Sequence, residues 1–307
     1  MEPQVTVPSR RPPHVQIRVL AAANTYRHGV DVPQRPWRPL SRRDDPSYED
    51  TLYEGIPEHL EPSIRDWTMG TLGVVGSTNT LRLIERRLRP PVTFPKVDRL
   101  LAFMHSEEEF SLDVVDLLCG LVMTRAEAMP SHEQTFVVER IVKLHGILDE
   151  AGSAWRVEWS NEPVGLIRRV DATVEQRAKD EIDAGGLPGR HLAASWRHLY
   201  GRHPDPDQAL DEANKALEAA AKPIVSPKNA KTRLGTIISN LRDKPEKWTT
   251  SLGTVPMLID RLEAIWTVQQ RHATDAPPVE PDVIEAAVHD AITLVHWFRA
   301  DLVRPAS

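Results

Sequence analysis

Between Pro281 and Leu302 apolar side chains return every three or four residues, at Ile284, Val288, Ala291, Val295, Phe298 and Leu302, behind a proline suited to the first position of a helix. A stripe of this kind must be buried against other helices, because a single helix gains most of its stability from packing. Much of the chain keeps the same texture. Leu60, Ile64, Trp67 and Leu72 recur around Pro62 at helical spacing, and TLRLIERRLR runs up to Pro90 and Pro91. Ser106, with Glu109 three residues on, reads as a capping box ahead of SLDVVDLLCGLVM, and Ser131 with Gln134 repeats that signature ahead of TFVVERIVKLHGILDEAG, which stops at Gly152. Farther on, TVEQRAKDEIDA is closed by Gly185 and Gly186, HLAASWRHLYG follows, and Asp205 caps a helix that opens at Pro206. TVPMLIDRLEAIWTVQQRH then precedes the final stripe.

Two short runs break this texture. SAWRVEW and GLIRRV are β-rich and flank the turn-like Ser160-Asn161-Glu162-Pro163, which predicts a β-hairpin. The expected fold is therefore mainly α: a proline-rich arm over 1–50, a helical N-terminal domain over 51–152, a hairpin connector over 153–172 and a helical bundle over 173–307. The arm holds eight of the 26 prolines, with eight arginines against six acids, so it is expected to be irregular apart from a short element in VQIRVLAAANTY. No chemistry is assigned to it.

Composition narrows the function classes. At 307 residues and 40% apolar content the chain has room for two modest cores. A net charge of −6 argues against a protein that coats nucleic acid non-specifically, so any such partner must be met locally. The single cysteine, Cys119 in VDLLCGLVM, excludes an internal disulfide and a multi-cysteine metal site; a buried thiol and a cytoplasmic compartment are expected. The N-terminus lacks the apolar run of a signal peptide, and no window approaches the roughly 18 apolar residues of a membrane span. A soluble protein with no membrane partner is the expectation.

The familiar catalytic and nucleotide-binding signatures are missing from the sequence: no phosphate loop ending in Lys-Ser or Lys-Thr, no GxGxxG, no HExxH and no GxSxG. No cofactor or metal is expected. His289 and His296 lie seven apart on one face of the last helix without the further ligands a metal needs, so they read as surface or satisfied core histidines. Glu109, Asp113 and Asp116 are spaced to point away from Val114, Val115 and Leu118, toward solvent. Four Arg–His pairs have four to six intervening residues, about the number that chance predicts, so spacing alone identifies no ribonuclease pair.

The best cationic stretch is 222–247, where Lys222, Lys228, Lys231, Arg233, Arg242, Lys244 and Lys247 face only Asp243 and Glu246. Such a cluster favours a phosphate backbone by releasing counterions, and an adjacent indole stacks on a base. Lys228, Asn229, Lys231, Arg233 and Trp248 are the candidate nucleic-acid contacts. The competing reading is a solvated loop and helix face with Trp248 tucked into the core.

From about 145 to 303, the blocks GILDEAGSAWRVEW, DPDQALDEANKALEAAAKPIVSPKN and AIWTVQQRHAT resemble the C-terminal domain of abortive-infection-like bacterial proteins, which is similar to the HEPN superfamily of helical bundles. The resemblance implies a homodimeric protein of phage defence or a toxin–antitoxin pair that acts on RNA. It also implies a metal-independent endoribonuclease site at QQRHATDAPP, with Arg271 stabilising the phosphorane-like transition state and His272 serving as general acid and base. The family's histidine position would fall at Ala276, Pro277 or Pro278, none of which moves a proton, so His272 alone is left for that role. The rival expectation is a non-catalytic module that dimerises or holds a partner around a degenerate HEPN site.

Overall fold

The computed structural model describes residues 52–158, 163–229, 231–272 and 279–306, with the backbone alone at 131–133 and 271–272. Among the described residues eleven α-helices and two small antiparallel sheets make the fold mainly α, as the periodicity predicts. The proline-rich arm, its VQIRVLAAANTY element and most of the hairpin turn lie outside the described residues. The chain divides into two compact units between Arg169 and Val170. Among the described residues no helix is long and apolar enough to cross a membrane.

The first unit contains α1 (Glu61–Val75), α2 (Ser77–Leu88), α3 (Val97–Ser106), α4 (Glu108–Glu127) and α5 (Ser131–Glu150), followed by β1 (Trp155–Glu158) and β2 (Gly165–Arg168). Helix α4 is the hub: it packs against all four other helices and against β2, which is why VDLLCGLVM is apolar almost all round. Cys119 sits in it, wholly buried. Trp67 on α1 donates to the carbonyl of Arg140 on α5 at 2.6 Å, and the Arg140 guanidinium returns a bond to the Trp67 carbonyl at 3.0 Å. Gly70 leaves the space that this guanidinium fills.

The hairpin pairs Trp155 with Arg168 and Glu158 with Gly165, and its Trp155, Val157 and Leu166 belong to the core of this unit. It is docked by Asp116, whose Oδ1 accepts from the Leu166 amide at 2.6 Å. Asp116 is therefore not part of a solvated acidic face; a strand edge that needs an acceptor holds it.

Two helix starts differ from expectation. VDRLLAFMHS forms α3, a helix not among the expected elements, and Ser106 closes it by donating to the Phe103 carbonyl at 3.0 Å. Helix α4 then begins at Glu108 without a side-chain cap. At α5 the capping position is Pro130, the helix already includes residue 131, and Gln134 reaches back to the Met129 carbonyl at 3.1 Å. Both serine-plus-three patterns thus lie at real boundaries, while the capping positions are Glu107 and Pro130 rather than the serines.

The second unit contains α6 (Ala172–Asp183), α7 (Gly186–Tyr200), α8 (Pro206–Val225), α9 (Leu234–Asp243), β3 (Trp248–Thr250), α10 (Val255–His272), α11 (Pro281–Arg299) and β4 (Val303–Pro305). Gly185 and Gly186 both take φ near +71°, which ends α6 and starts α7. Asp205 caps α8 by accepting from the Gln208 amide at 3.0 Å. Helix α8 is the centre of this bundle, in contact with α7, α9, α10 and α11; its buried Ala209, Ala213, Ala216, Ala220 and Ala221 let those helices approach closely. Ile284, Val288, Ala291, Val295 and Phe298 of α11 are buried as the stripe predicts, whereas Leu302 lies beyond the helix end. β3 and β4 pair Trp248 with Pro305 and Thr250 with Val303.

Candidate nucleic-acid interface

Between α8 and α9 the backbone is fixed by its own polar side chains. Asn229 Oδ1 accepts from the Lys231 amide at 3.0 Å, the buried Thr232 donates its hydroxyl to the Asn229 carbonyl at 3.0 Å, and Asn240 donates to Ser226 Oγ at 2.6 Å. Asn229 thereby builds the turn, a use that Asx side chains have for their own backbone. With Thr232 and Leu234 turned inward, Lys228, Lys231 and Arg233 are exposed.

Acids answer part of the charge. Glu218 on α8 accepts from the Leu234 amide at 2.8 Å through Oε1, and its Oε2 lies 3.4 Å from Nη1 of Arg233. Arg242 pairs with Glu263 on α10. Among the described residues, Lys228, Lys231, Lys244 and Lys247 take no ion pair.

Helix α10 lies antiparallel to α9, with Glu263 beside Arg242 and Trp266 beside Gly235. A side chain starting at Gly235 would stand 3.5 Å from Cε2, Cζ2 and Nε1 of Trp266, so the indole rests on the first turn of α9. Five residues on, or about 7.5 Å of helix rise, the last turn of α10 carries Arg271 and His272. Their side chains lie outside the described residues, as does the 273–278 segment with Ala276, Pro277 and Pro278. The start of α9 and the end of α10 therefore share one end of this helix pair, with Lys231 and Arg233 beside it.

Trp248 stands elsewhere. The ten residues of α9, about 15 Å of helix, separate it from Arg233, and it is half-buried in the β3–β4 sheet with its indole nitrogen enclosed and unpaired. Trp266 is the aromatic that the fold brings to the start of α9, at Gly235, two residues along the chain from Arg233 and four from Lys231. It is 38% exposed, while Trp67, Trp155, Trp196 and Trp297 are each 7% exposed or less. In the sequence Trp266 sits one step off the buried stripe Leu258, Leu262 and Ile265, which disguises it as core; its separation from Gly235 along the chain hides the pairing.

A second polar cluster joins α7 to α11. The Tyr200 hydroxyl is 2.6 Å from Oε1 of Glu285 and 2.6 Å from Nε2 of His289, while the Trp196 ring stacks 6.1 Å from the imidazole. A phenol has one proton, so the arrangement is His289 Nε2–H to Tyr200 and Tyr200 O–H to Glu285. Burial, then the bond and charge of Glu285, push the Tyr200 hydroxyl far above the usual phenol range, and burial draws His289 below 6.5 against the opposing pull of Glu285. A protonated phenol and a neutral imidazole make a clasp rather than a nucleophile. His296 is likewise satisfied, with Nδ1 2.6 Å from Oε1 of the buried Glu181, whose carbonyl accepts from Arg299 at 2.9 Å. Among the described residues no three His, Cys, Asp or Glu side chains gather as metal ligands.

No family model, curated protein or solved structure matches the chain.

Proposed function

We propose that this is a bacterial protein of the abortive-infection or toxin–antitoxin type that acts on RNA through its second unit. The observation that carries the reading is the packing of Trp266 on Gly235, which brings Lys231, Arg233 and the turn of α10 bearing Arg271 and His272 to one end of a helix pair. Unpaired lysines there meet phosphate by point charge, and an arginine meets it by a planar fork. In the catalytic version His272 removes the ribose 2′-hydroxyl proton, the 2′-oxygen bonds to phosphorus as the P–O5′ bond breaks, and the leaving 5′-oxygen takes that proton back from His272. Arg271 meets the charge that develops on the phosphoryl oxygens.

A second reading, RNA or partner binding without cleavage, draws support from α10 remaining helical through His272. Consecutive positions of a regular helix are about 100° apart, so a helix by itself does not aim two neighbours at one phosphate. Incubation of the full chain with total RNA in EDTA separates the two readings. Cleavage that disappears in His272→Ala supports the endoribonuclease, and a dimer in sedimentation supports a shared site. Salt-sensitive binding without cleavage, lost in Lys228→Ala/Lys231→Ala, supports the binding module; neither cleavage nor binding overturns the RNA reading.

A further inference from the structure

We infer that Trp266 is a base-stacking platform and that the nucleic acid this surface takes is single-stranded RNA. The inference rests on the RNA reading above and deepens it. An exposed tryptophan on an otherwise amphipathic helix forgoes the burial that such a ring usually gains, and Trp266 is the only exposed tryptophan among the described residues. Its ring is braced rather than loose, because one side lies on Gly235, where no side chain intervenes. Charge complementarity points to the occupant. Lys231 and Arg233 lie four and two residues from Gly235, and Lys228 and Lys231 have no acidic partner among the described residues. Glu218 and Glu263, which reach this stretch from α8 and α10, are engaged with Arg233 and Arg242.

A braced indole beside unanswered cations suits a strand whose bases are free to leave the stack while its phosphates pass the lysines. A duplex offers no unstacked base, and in A-form RNA it shows mainly backbone and 2′-hydroxyls. An acidic protein segment would satisfy the lysines but meets the ring only where it carries an aromatic or arginine side chain, whereas every nucleotide carries a π-face. The single-stranded class follows from the ring, and the charge alone would not distinguish it.

The test uses the full chain with a fluorescently labelled twelve-nucleotide oligouridylate and a twelve-base-pair RNA duplex, read by anisotropy at fixed salt. The single strand is expected to bind more tightly than the duplex. Trp266→Ala is expected to weaken the single strand at least about fivefold, with the dependence on salt unchanged, while Trp266→Phe retains most of the affinity. Circular dichroism of both variants reports the fold. Equal affinity of wild type and Trp266→Ala for the single strand, with binding still lost in Lys228→Ala/Lys231→Ala, overturns the platform and leaves the RNA reading standing. Equal affinity for duplex and single strand overturns the single-stranded class. Binding of neither RNA by the wild type overturns the RNA reading itself, and a wild-type dimer that becomes a monomer in Trp266→Ala assigns the ring to a second copy of the chain instead.

Discussion

The hydroxyl of Tyr200 lies 2.6 Å from Nε2 of His289 and serves it as acceptor while donating to Glu285 on the same helix. Burial draws the imidazole below 6.5, so below that pH the unfolded chain binds a proton that the folded one resists. Stability of the second unit should therefore fall as the pH drops through 6.5 toward the lower folded value, and rise again as the pH returns. The His289 ring should titrate below 6.5 in an NMR pH series; titration at or above that value would remove the clasp as described.

Asn214 sits on α8 with 1% exposure, and neither atom of its amide takes a hydrogen bond. A buried unpaired amide is destabilising by roughly 1–3 kcal/mol. Asn214→Leu, which keeps the branched skeleton and replaces the amide with methyl groups, should raise the urea midpoint of the second unit, whereas Asn214→Asp should lower it by placing a charge among the alanines. A lowered midpoint for Asn214→Leu would mean that the amide has a partner in solution.

Asp116 joins α4 to the hairpin by accepting a short bond from the Leu166 amide. Asp116→Ala leaves that half-enclosed amide without an acceptor and should destabilise the first unit by about 1–3 kcal/mol, while Asp116→Asn keeps an oxygen there and should cost less. Amide exchange at Leu166 is the local readout. Protection unchanged in the alanine variant would assign the docking to apolar contact alone.

Salt dependence separates positioning charges from bystanders. If Lys228 and Lys231 each neutralise one phosphate of a single strand, Lys228→Ala/Lys231→Ala should reduce the slope of log affinity against log salt by about 1.4. Lys244→Ala/Lys247→Ala, at the far end of α9, should leave it nearly unchanged. Equal effects from the two pairs would spread the interface over the whole stretch.

Where local pattern and tertiary burial agree, the architecture was readable in advance. The α11 stripe, the two glycines after α6 and the Asp205–Pro206 start all act within a turn or two of helix, and each appears where the spacing puts it. Failures came where a neighbour distant in sequence sets the outcome. Ser106 bonds backward to close α3 instead of forward to open α4, and Asp116 finds its acceptor role fifty residues away. At the candidate interface, chain order puts Trp248 beside the lysines, but helix α9 carries it away and the antiparallel return of α10 supplies Trp266. Arg271 and His272 were legible as a motif, while their side chains lie outside the described residues.

Glu218 holds the Leu234 amide with one oxygen and Arg233 with the other. A visiting phosphate that recruits the guanidinium would leave the amide bond untouched, so α9 keeps its start whether or not the arginine is engaged. The reverse substitution is not neutral: removing the carboxylate to liberate more positive charge would fray the helix on which Trp266 rests. Attraction and scaffold are thus tied to a single side chain, and neither can be tuned there without disturbing the other.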